Sequence, residues 1–256
     1  MNIATRQLVG PTSRRLRGFT LIELMIAITV ALFLVGGLLV MLQSTRNAFG
    51  NQNQLAQLQD NERLVMTFMA EVVESAGYFP DPVNNVYTTV FPTTPVFATL
   101  GQAVYGTYSA TAPGDSVTIR YAAAQNDNVF NCRGSTNTTV ANYDVFVNRF
   151  WVNTADAKNF VLTCTVSSTA INPPVDVPLV NGVQNLAVLY GVKKSAAATG
   201  SCADTYLNAN QMLPADWNNV CSINLTVQFK NPLPIGLPTI TITRVIAVMN
   251  AAGVNS

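Results

Sequence analysis

Histidine is absent from this 256-residue sequence, and charged residues make up only 11% of it. Without imidazole, a Ser-His-Asp triad, a Cys-His pair and a His-bearing zinc site are all excluded. The side chain best suited to proton transfer near neutral pH is also missing. The 13 Pro and 15 Gly are too few for a collagen-like chain or a linker, and the 49% apolar content argues against disorder. The composition favours a folded protein, and the absence of histidine counts against an enzyme.

The few charges are placed unevenly. Four arginines precede the first acidic residue, Glu23: Arg6, Arg14, Arg15 and Arg17. Of the 14 basic residues, 10 remain after residue 18 against 13 acidic ones, a net charge of −3. That balance lacks the basic patch of a nucleic-acid-binding protein, so we expect no strong nucleic-acid binding. The adjacent pair Lys193-Lys194 is interpreted as a solvated turn.

An apolar run of 24 residues, Phe19 to Leu42, follows the basic segment and contains one charge, Glu23. A helix of this length spans about 36 Å, enough for a bilayer core of about 30 Å, and the preceding arginines should stay cytoplasmic. A secretory signal peptide fits less well, because its apolar region is shorter and its cleavage site follows that region. An ordinary membrane anchor explains the length and the arginines, but not the carboxylate.

The segment Arg17-Gly18-Phe19-Thr20-Leu21-Ile22-Glu23-Leu24 resembles the processing site of type IV prepilins and pseudopilins. The resemblance implies that residues 1–18 are a leader, cleaved after Gly18 by a prepilin peptidase. It also implies N-methylation of the new terminus, Phe19. Residues 19–42 would then form a helix that lies in the membrane before assembly and in the filament core afterwards.

The position of Glu23 has a physical rationale under this interpretation. Cleavage leaves a cationic amine on Phe19 at the edge of the hydrocarbon, and an intramembrane charge costs at least about 2.5–3.5 kcal/mol unless it is paired. We hypothesise that Glu23 of one subunit meets the Phe19 amine of its neighbour and thereby fixes the axial register of assembly. The alternative is that Glu23 reaches to the lipid headgroups.

The helix is predicted to continue through residues 43–77 and to become amphipathic. Gly77, Pro80 and Pro82 are expected to end it. Gly36-Gly37 either permits close helix packing or marks a place of local unwinding, and the sequence does not decide between these. Apolar residues at steps of three and four define the inward face of the second half: Val65, Phe68, Met69, Val72, Val73 and Ala76.

Beyond this helix, residues 78–256 are predicted to form a β-rich domain outside the membrane. Alternating segments predict strands over 116–121, 144–152, 160–166, 186–190, 223–229 and 240–248. Pro80 to Pro113 is interpreted as an irregular excursion, and Ser195 to Ser201 as a flexible loop. The predicted fold class is α+β, pilin-like, with a long N-terminal helix packed on an antiparallel sheet.

Four cysteines lie beyond the membrane helix, in a compartment where disulfides persist. They allow three connectivities. We favour Cys132–Cys164 and Cys202–Cys221, because each closes one local excursion between predicted strands. A metal site is disfavoured, because the spacings of the cysteines contain no Cys-x-x-Cys.

Two later segments, 179–191 and Asp216-Trp217-Asn218-Asn219-Val220, are similar to PilW-type minor pilins, as is the block from Cys132 to Cys164. This resemblance implies a low-abundance subunit that helps to initiate a type IV pilus, near its tip. Its expected partners are other minor pilins, the major pilin and the inner-membrane assembly platform. The alternatives are a minor pseudopilin of a type II secretion system and, third, a membrane-tethered enzyme or receptor.

No catalytic motif or cofactor site is predicted. Asn126-Asp127-Asn128 offers oxygen atoms to a calcium ion but is interpreted as an ordinary loop. Asn137 and Asn224 satisfy the Asn-x-Thr glycosylation pattern only formally.

Overall fold

The computed structural model describes residues 18–156, 159–194, 202–233 and 237–249. Most of the predicted leader and the predicted loop 195–201 lie outside these ranges. The chain forms two compact units, Met1–Asn53 and Gln54–Ser256. Helix α1 spans Leu21–Glu74 and contributes residues to both.

The second part of α1 carries the apolar face that the sequence predicts. Val65, Met69 and Val73 are at most 1% exposed and belong to the same core as the strands. The helix ends at Glu74, slightly before the expected stop, and a turn follows. Gly77 has a φ of +72°, and its N–H donates to the carbonyl of Arg120 at 3.0 Å. A glycine is favoured in this left-handed conformation, so Gly77 leads the chain from the helix to the sheet.

The strands of the second unit form two antiparallel sheets. The first sheet has five strands in chain order. These are β1 (Val104–Thr107), β2 (Ser116–Ala124), β3 (Tyr143–Asn153), β4 (Val161–Ser167) and β5 (Val175–Asn181). The second sheet has the order β7-β6-β8-β9. Its strands are β6 (Val183–Val192), β7 (Thr205–Leu207), β8 (Val220–Phe229) and β9 (Ile240–Ala247).

The α+β fold class is confirmed, and so are all six predicted strands, with shifted ends. The expectation of one sheet is wrong. Gly182 separates β5 from β6, with a φ of +82°, and the chain passes there from one sheet to the other. The N–H of Gly182 donates to the carbonyl of Phe160, and its own carbonyl accepts from the N–H of Lys230, both at 2.8 Å. A local alternation pattern cannot reveal such a change of sheet, because it reports only which side of a strand is buried.

The excursion from Pro80 to Pro113 is more regular than predicted. It contains a short helix, α2 (Tyr87–Val90), and strand β1. Val90 and Phe91 pack on Ala122 of β2. Strand β2 is consequently buried along nearly its whole length, with both odd and even positions covered. This segment places a second layer over a face that the sequence marked as polar.

Candidate functional site

The start of α1 is organised by Thr20. Its hydroxyl oxygen accepts a hydrogen bond from the N–H of Glu23 at 3.3 Å, and its carbonyl accepts from the N–H of Leu24 at 3.1 Å. Thr20 is therefore the N-cap and Glu23 the third helical residue. An acid in the first turn faces the positive end of the helix dipole, which stabilises the helix. Glu23 is exposed within its own unit.

The apolar part of α1 has no cover within the first unit. Every described residue from Gly18 to Asn53 is exposed, including Phe19 at 82% and Phe33 at 85%. Soluble monomers rarely expose contiguous apolar surface on this scale. α1 is also long and apolar enough to cross a membrane, by its length and composition. This surface fits an environment of lipid or of other helices.

Gly36-Gly37 lies within continuous helix in this structure, and no other group approaches either α-carbon where a side chain would project. Both glycines are available for close approach by another helix, since their backbone is not covered. The alternative of local unwinding stays a prediction for another state of the subunit.

The structure contains two disulfides, Cys132–Cys164 and Cys202–Cys221, with Cα–Cα distances of 6.4 and 6.0 Å. The first is fully buried in the core. In the second, Cys221 is buried but Cys202 is exposed. The described residues include no cluster of His, Cys, Asp or Glu that could hold a metal ion.

The Asp216-Trp217-Asn218 segment joins three parts of the folded domain. Trp217 stacks edge-on against Tyr190 at a ring-centroid distance of 4.9 Å and packs near Tyr105 at 5.3 Å. Asn218 donates from its side-chain nitrogen to the carbonyl of Leu100 at 3.1 Å. The segment thereby fastens both sheets and the excursion before β1 to one another.

Lys193 and Lys194 are both exposed, in agreement with the solvated turn expected there, and Lys194 also forms an ion pair with Asp216 of the same segment. The ammonium of Lys194 donates to Oδ2 of Asp216 at 2.6 Å. The N–H of Leu213 donates to the same oxygen at 2.8 Å. Burial acts to raise the pKa of Asp216, but these hydrogen bonds outweigh it, so the pKa is lowered.

Comparison with known families supports the resemblance in two parts of the chain, the N-terminal segment and the folded domain. The family model of the prokaryotic N-terminal methylation motif matches residues 13–39. The family model of Type IV Pilus-assembly protein W, PilW, matches residues 149–235. The chain resembles a type IV pilin of the PilW type. No curated protein matches the chain.

The PilW match covers a defined part of the fold. It begins within β3, includes β4 to β8, and contains the Cys202–Cys221 disulfide and Trp217. The two matches together point to a structural, pilin-like protein anchored by an N-terminal helix. The excursion before β1 and the edge strand β9 lie outside both matched ranges.

Arg120 on β2 lies outside the matches and was not singled out from the sequence. It is 2% exposed, and within the described chain it faces no carboxylate. Its guanidinium donates to the carbonyls of Gln102 at 2.5 Å and Pro92 at 2.7 Å, and stacks on Phe97 at 4.2 Å. Burial lowers the pKa of Arg120 to about 10, with Tyr87 opposing the shift, so it is charged at neutral pH. Arg120 holds the excursion onto the sheet.

The structure explains the possible calcium-binding string at Asn126-Asp127-Asn128 and the Asn-x-Thr pattern at Asn137. Both side-chain oxygens of Asp127 accept hydrogen bonds from backbone N–H groups, of Ala124 and Val129, as expected for an ordinary loop. Asn137 is 3% exposed, and its amide donates to the carbonyls of Ala123 and Val140. A buried, bonded amide is not accessible to a glycosylating enzyme, so Asn137 is a structural residue.

Thr20 is the functional residue that the sequence analysis missed. The string Thr20-Leu21-Ile22-Glu23 has the Ser/Thr-x-x-Glu pattern of a helix N-terminus, which marks the cap before the apolar run. The pattern predicts the bond from the N–H of Glu23 to the Thr20 hydroxyl.

Proposed function

We propose that the protein is a minor pilin that helps to initiate type IV pilus assembly, close to the pilus tip. The observation that carries this proposal is the uncovered apolar helix, which begins at a capped terminus with one acid in its first turn. The PilW match of the folded domain supports a role in pilus assembly.

The proposed sequence of events starts in the inner membrane, with the arginine-rich terminus in the cytoplasm. A prepilin peptidase hydrolyses the Gly18–Phe19 bond, and the amine of Phe19 is then methylated. The helix leaves the lipid for a bundle of pilin helices, where apolar contacts replace lipid contacts. Other minor pilins, the major pilin and the assembly platform are the proposed partners.

Glu23 has two separable roles in this proposal. Its backbone N–H completes the Thr20 cap, and its carboxylate pairs with the Phe19 amine of the adjacent subunit. Pairing is favoured because an unpaired charge in hydrocarbon costs at least about 2.5–3.5 kcal/mol, equivalent to roughly a 70-fold or greater change in an equilibrium. The carboxylate therefore selects one axial register.

Substitution of Glu23 tests the charge separately from the cap. Glutamine preserves the shape and hydrogen-bonding capacity of the side chain at this helix position but removes the charge. We expect Glu23→Gln to lower incorporation into sheared pili at least about tenfold, measured by quantitative immunoblot. Glu71→Gln is the matched control, because it removes an exposed carboxylate from the same helix. Equal incorporation of Glu23→Gln and wild type would refute the pairing.

Mass spectrometry of the pilus-associated protein tests the processing step. The expected N-terminus is N-methylated Phe19. Protein that enters pili with residues 1–18 still attached would contradict the proposal at its first step.

A further inference from the structure

The four outer edges of the two sheets are protected to different degrees. β1 has four residues and β7 has three, so neither has a long edge with which another strand could pair. β5 contains Pro178, which lacks an N–H to donate. β9 has eight residues, contains no proline and pairs with β8 without a register shift. Long, regular edges without proline are the ones that accept a further strand.

The backbone alternation of β9 identifies the groups at its open edge. The N–H of Val248 donates to the carbonyl of Cys221 on the β8 side at 2.8 Å. Because alternate residues of an antiparallel strand face opposite edges, even-numbered residues of β9 bond to β8. The N–H and C=O groups of the odd-numbered residues therefore face away from β8: Thr241, Thr243, Val245 and Ala247. These four residues are exposed, and their outward backbone groups have no partner in the described part of the chain.

The side chains of β9 define the chemistry of an incoming strand. Ile240 and Ile242 pack against the core from one face of β9, and Val245 is 54% exposed on the other. Arg244 is the single charge of the strand and is exposed, although its guanidinium also donates to the carbonyl of Met66 at 3.3 Å. A matching strand alternates apolar and polar residues and presents a carboxylate opposite Arg244.

A second copy of the same chain is a poor occupant. Full antiparallel pairing of two β9 strands aligns Thr241 with Ala247 of the other copy, and hence Arg244 with Arg244. Like charges placed directly opposite each other destabilise a strand pair. Shifting the register to separate the charges leaves outward groups unpaired at both ends of the overlap. Charge complementarity instead favours a different polypeptide.

We propose that β9 docks an extended strand of a different pilus subunit, which pairs antiparallel with β9 and places a carboxylate opposite Arg244. This inference rests on the proposed function for the identity of the partner, and on the open edge for the mode of binding. The interaction would join the folded domains of neighbouring subunits through backbone hydrogen bonds.

Site-specific photocrosslinking in the cells that produce the protein tests the proposal directly. A photoreactive phenylalanine analogue replaces Val245 in the full chain, and the crosslinked peptides are identified by mass spectrometry. The control carries the same analogue in place of Tyr206, an exposed aromatic residue on the opposite edge of the same sheet. We expect position 245 to crosslink to an acid-containing extended segment of another pilus subunit, at least about tenfold more than position 206 does.

Two backbone-matched substitutions sharpen this test. Thr243→Pro removes one outward N–H without removing a bond to β8, whereas Thr243→Val keeps that N–H and removes only the hydroxyl that contacts Thr226. We expect Thr243→Pro to reduce crosslinking from position 245 at least about fivefold and Thr243→Val to change it less than about twofold. If Thr243→Pro fails to fold, Arg244→Glu provides the second perturbation, with the same reduction expected.

The outcomes separate this inference from the proposed function. Incorporation into pili with no crosslink from position 245, or with crosslinks to another copy alone, overturns the docking of a different subunit and leaves the pilin role intact. Absence from pili, together with crosslinks from position 245 to an acid-bearing strand of another envelope protein, overturns the pilin role and supports strand docking at β9.

Discussion

Replacement of Arg120 by leucine is expected to weaken the folded domain and to release the excursion before β1. The change keeps an apolar side chain in contact with Phe97 but removes the guanidinium. The carbonyls of Gln102 and Pro92 then lose the hydrogen bonds that Arg120 supplies, whereas that of Phe91 keeps a second donor, the N–H of Gly101.

The magnitude follows from the Gln102 carbonyl, because Gln102 is buried, whereas Pro92 is exposed and its carbonyl can bond to water instead. A buried acceptor without a partner costs about 1–3 kcal/mol, and only the Gln102 carbonyl is such an acceptor. Removing a buried charge that has no carboxylate partner returns part of its desolvation cost. We therefore expect a net loss of about 1–3 kcal/mol in the free energy of unfolding. This is a large fraction of the stability of a typical domain.

Urea unfolding of the full-length protein in detergent, followed by tryptophan fluorescence, measures this loss. Limited proteolysis provides a second measurement, with faster cleavage expected between Pro80 and Gln102. Arg149→Leu is the control, because it removes an exposed arginine from the neighbouring strand β3. An Arg120→Leu protein as stable and as resistant to protease as wild type would refute the role assigned to these bonds.

Three further predictions concern the same domain. Mild reduction should open the Cys202–Cys221 disulfide before the buried Cys132–Cys164 disulfide, and timed alkylation with peptide mapping measures the order. Because the pKa of Asp216 is lowered in the folded state, its ion pair contributes fully to stability above the unfolded pKa near 3.9, and this contribution is lost as the pH falls through the folded pKa. Asp216→Asn should therefore reduce the pH dependence of the free energy of unfolding by at most about 1 kcal/mol over that acidic range, measured in pH-dependent melts. Asn137→Ala should lower the free energy of unfolding by about 2–4 kcal/mol in urea titrations. The mass of the protein should change only by the difference between the two side chains, because no glycan is expected on Asn137.

Local pattern was sufficient to predict the elements that bury one face against a core. The spacing of Val65, Met69 and Val73 predicted the inward face of α1, and the alternation from Ile223 to Phe229 predicted β8. The resemblance of residues 17–24 to a processing motif is supported by the family match over 13–39, and it could be recognised because such motifs are short and contiguous. The cap at Thr20 was readable in the same way.

The remaining features depend on contacts between distant parts of the chain. Alternation over 116–121 predicted strand β2 but not the burial of Arg120, because the excursion that covers Arg120 comes earlier in the sequence. Strand β5 was not predicted because Pro178 interrupts a short run, and an edge position tolerates that interruption. The ion pair of Lys194 was not predicted because its partner, Asp216, lies 22 residues further along the chain.

The single-residue passage at Gly182 has a mechanical consequence. With only one residue between β5 and β6, and with that residue bonded to Phe160 and Lys230 at once, displacement of either sheet pulls directly on the other. Two sheets linked by one residue in this way should resist tension together and unfold in a single cooperative step. That property suits a subunit that carries load through its folded part.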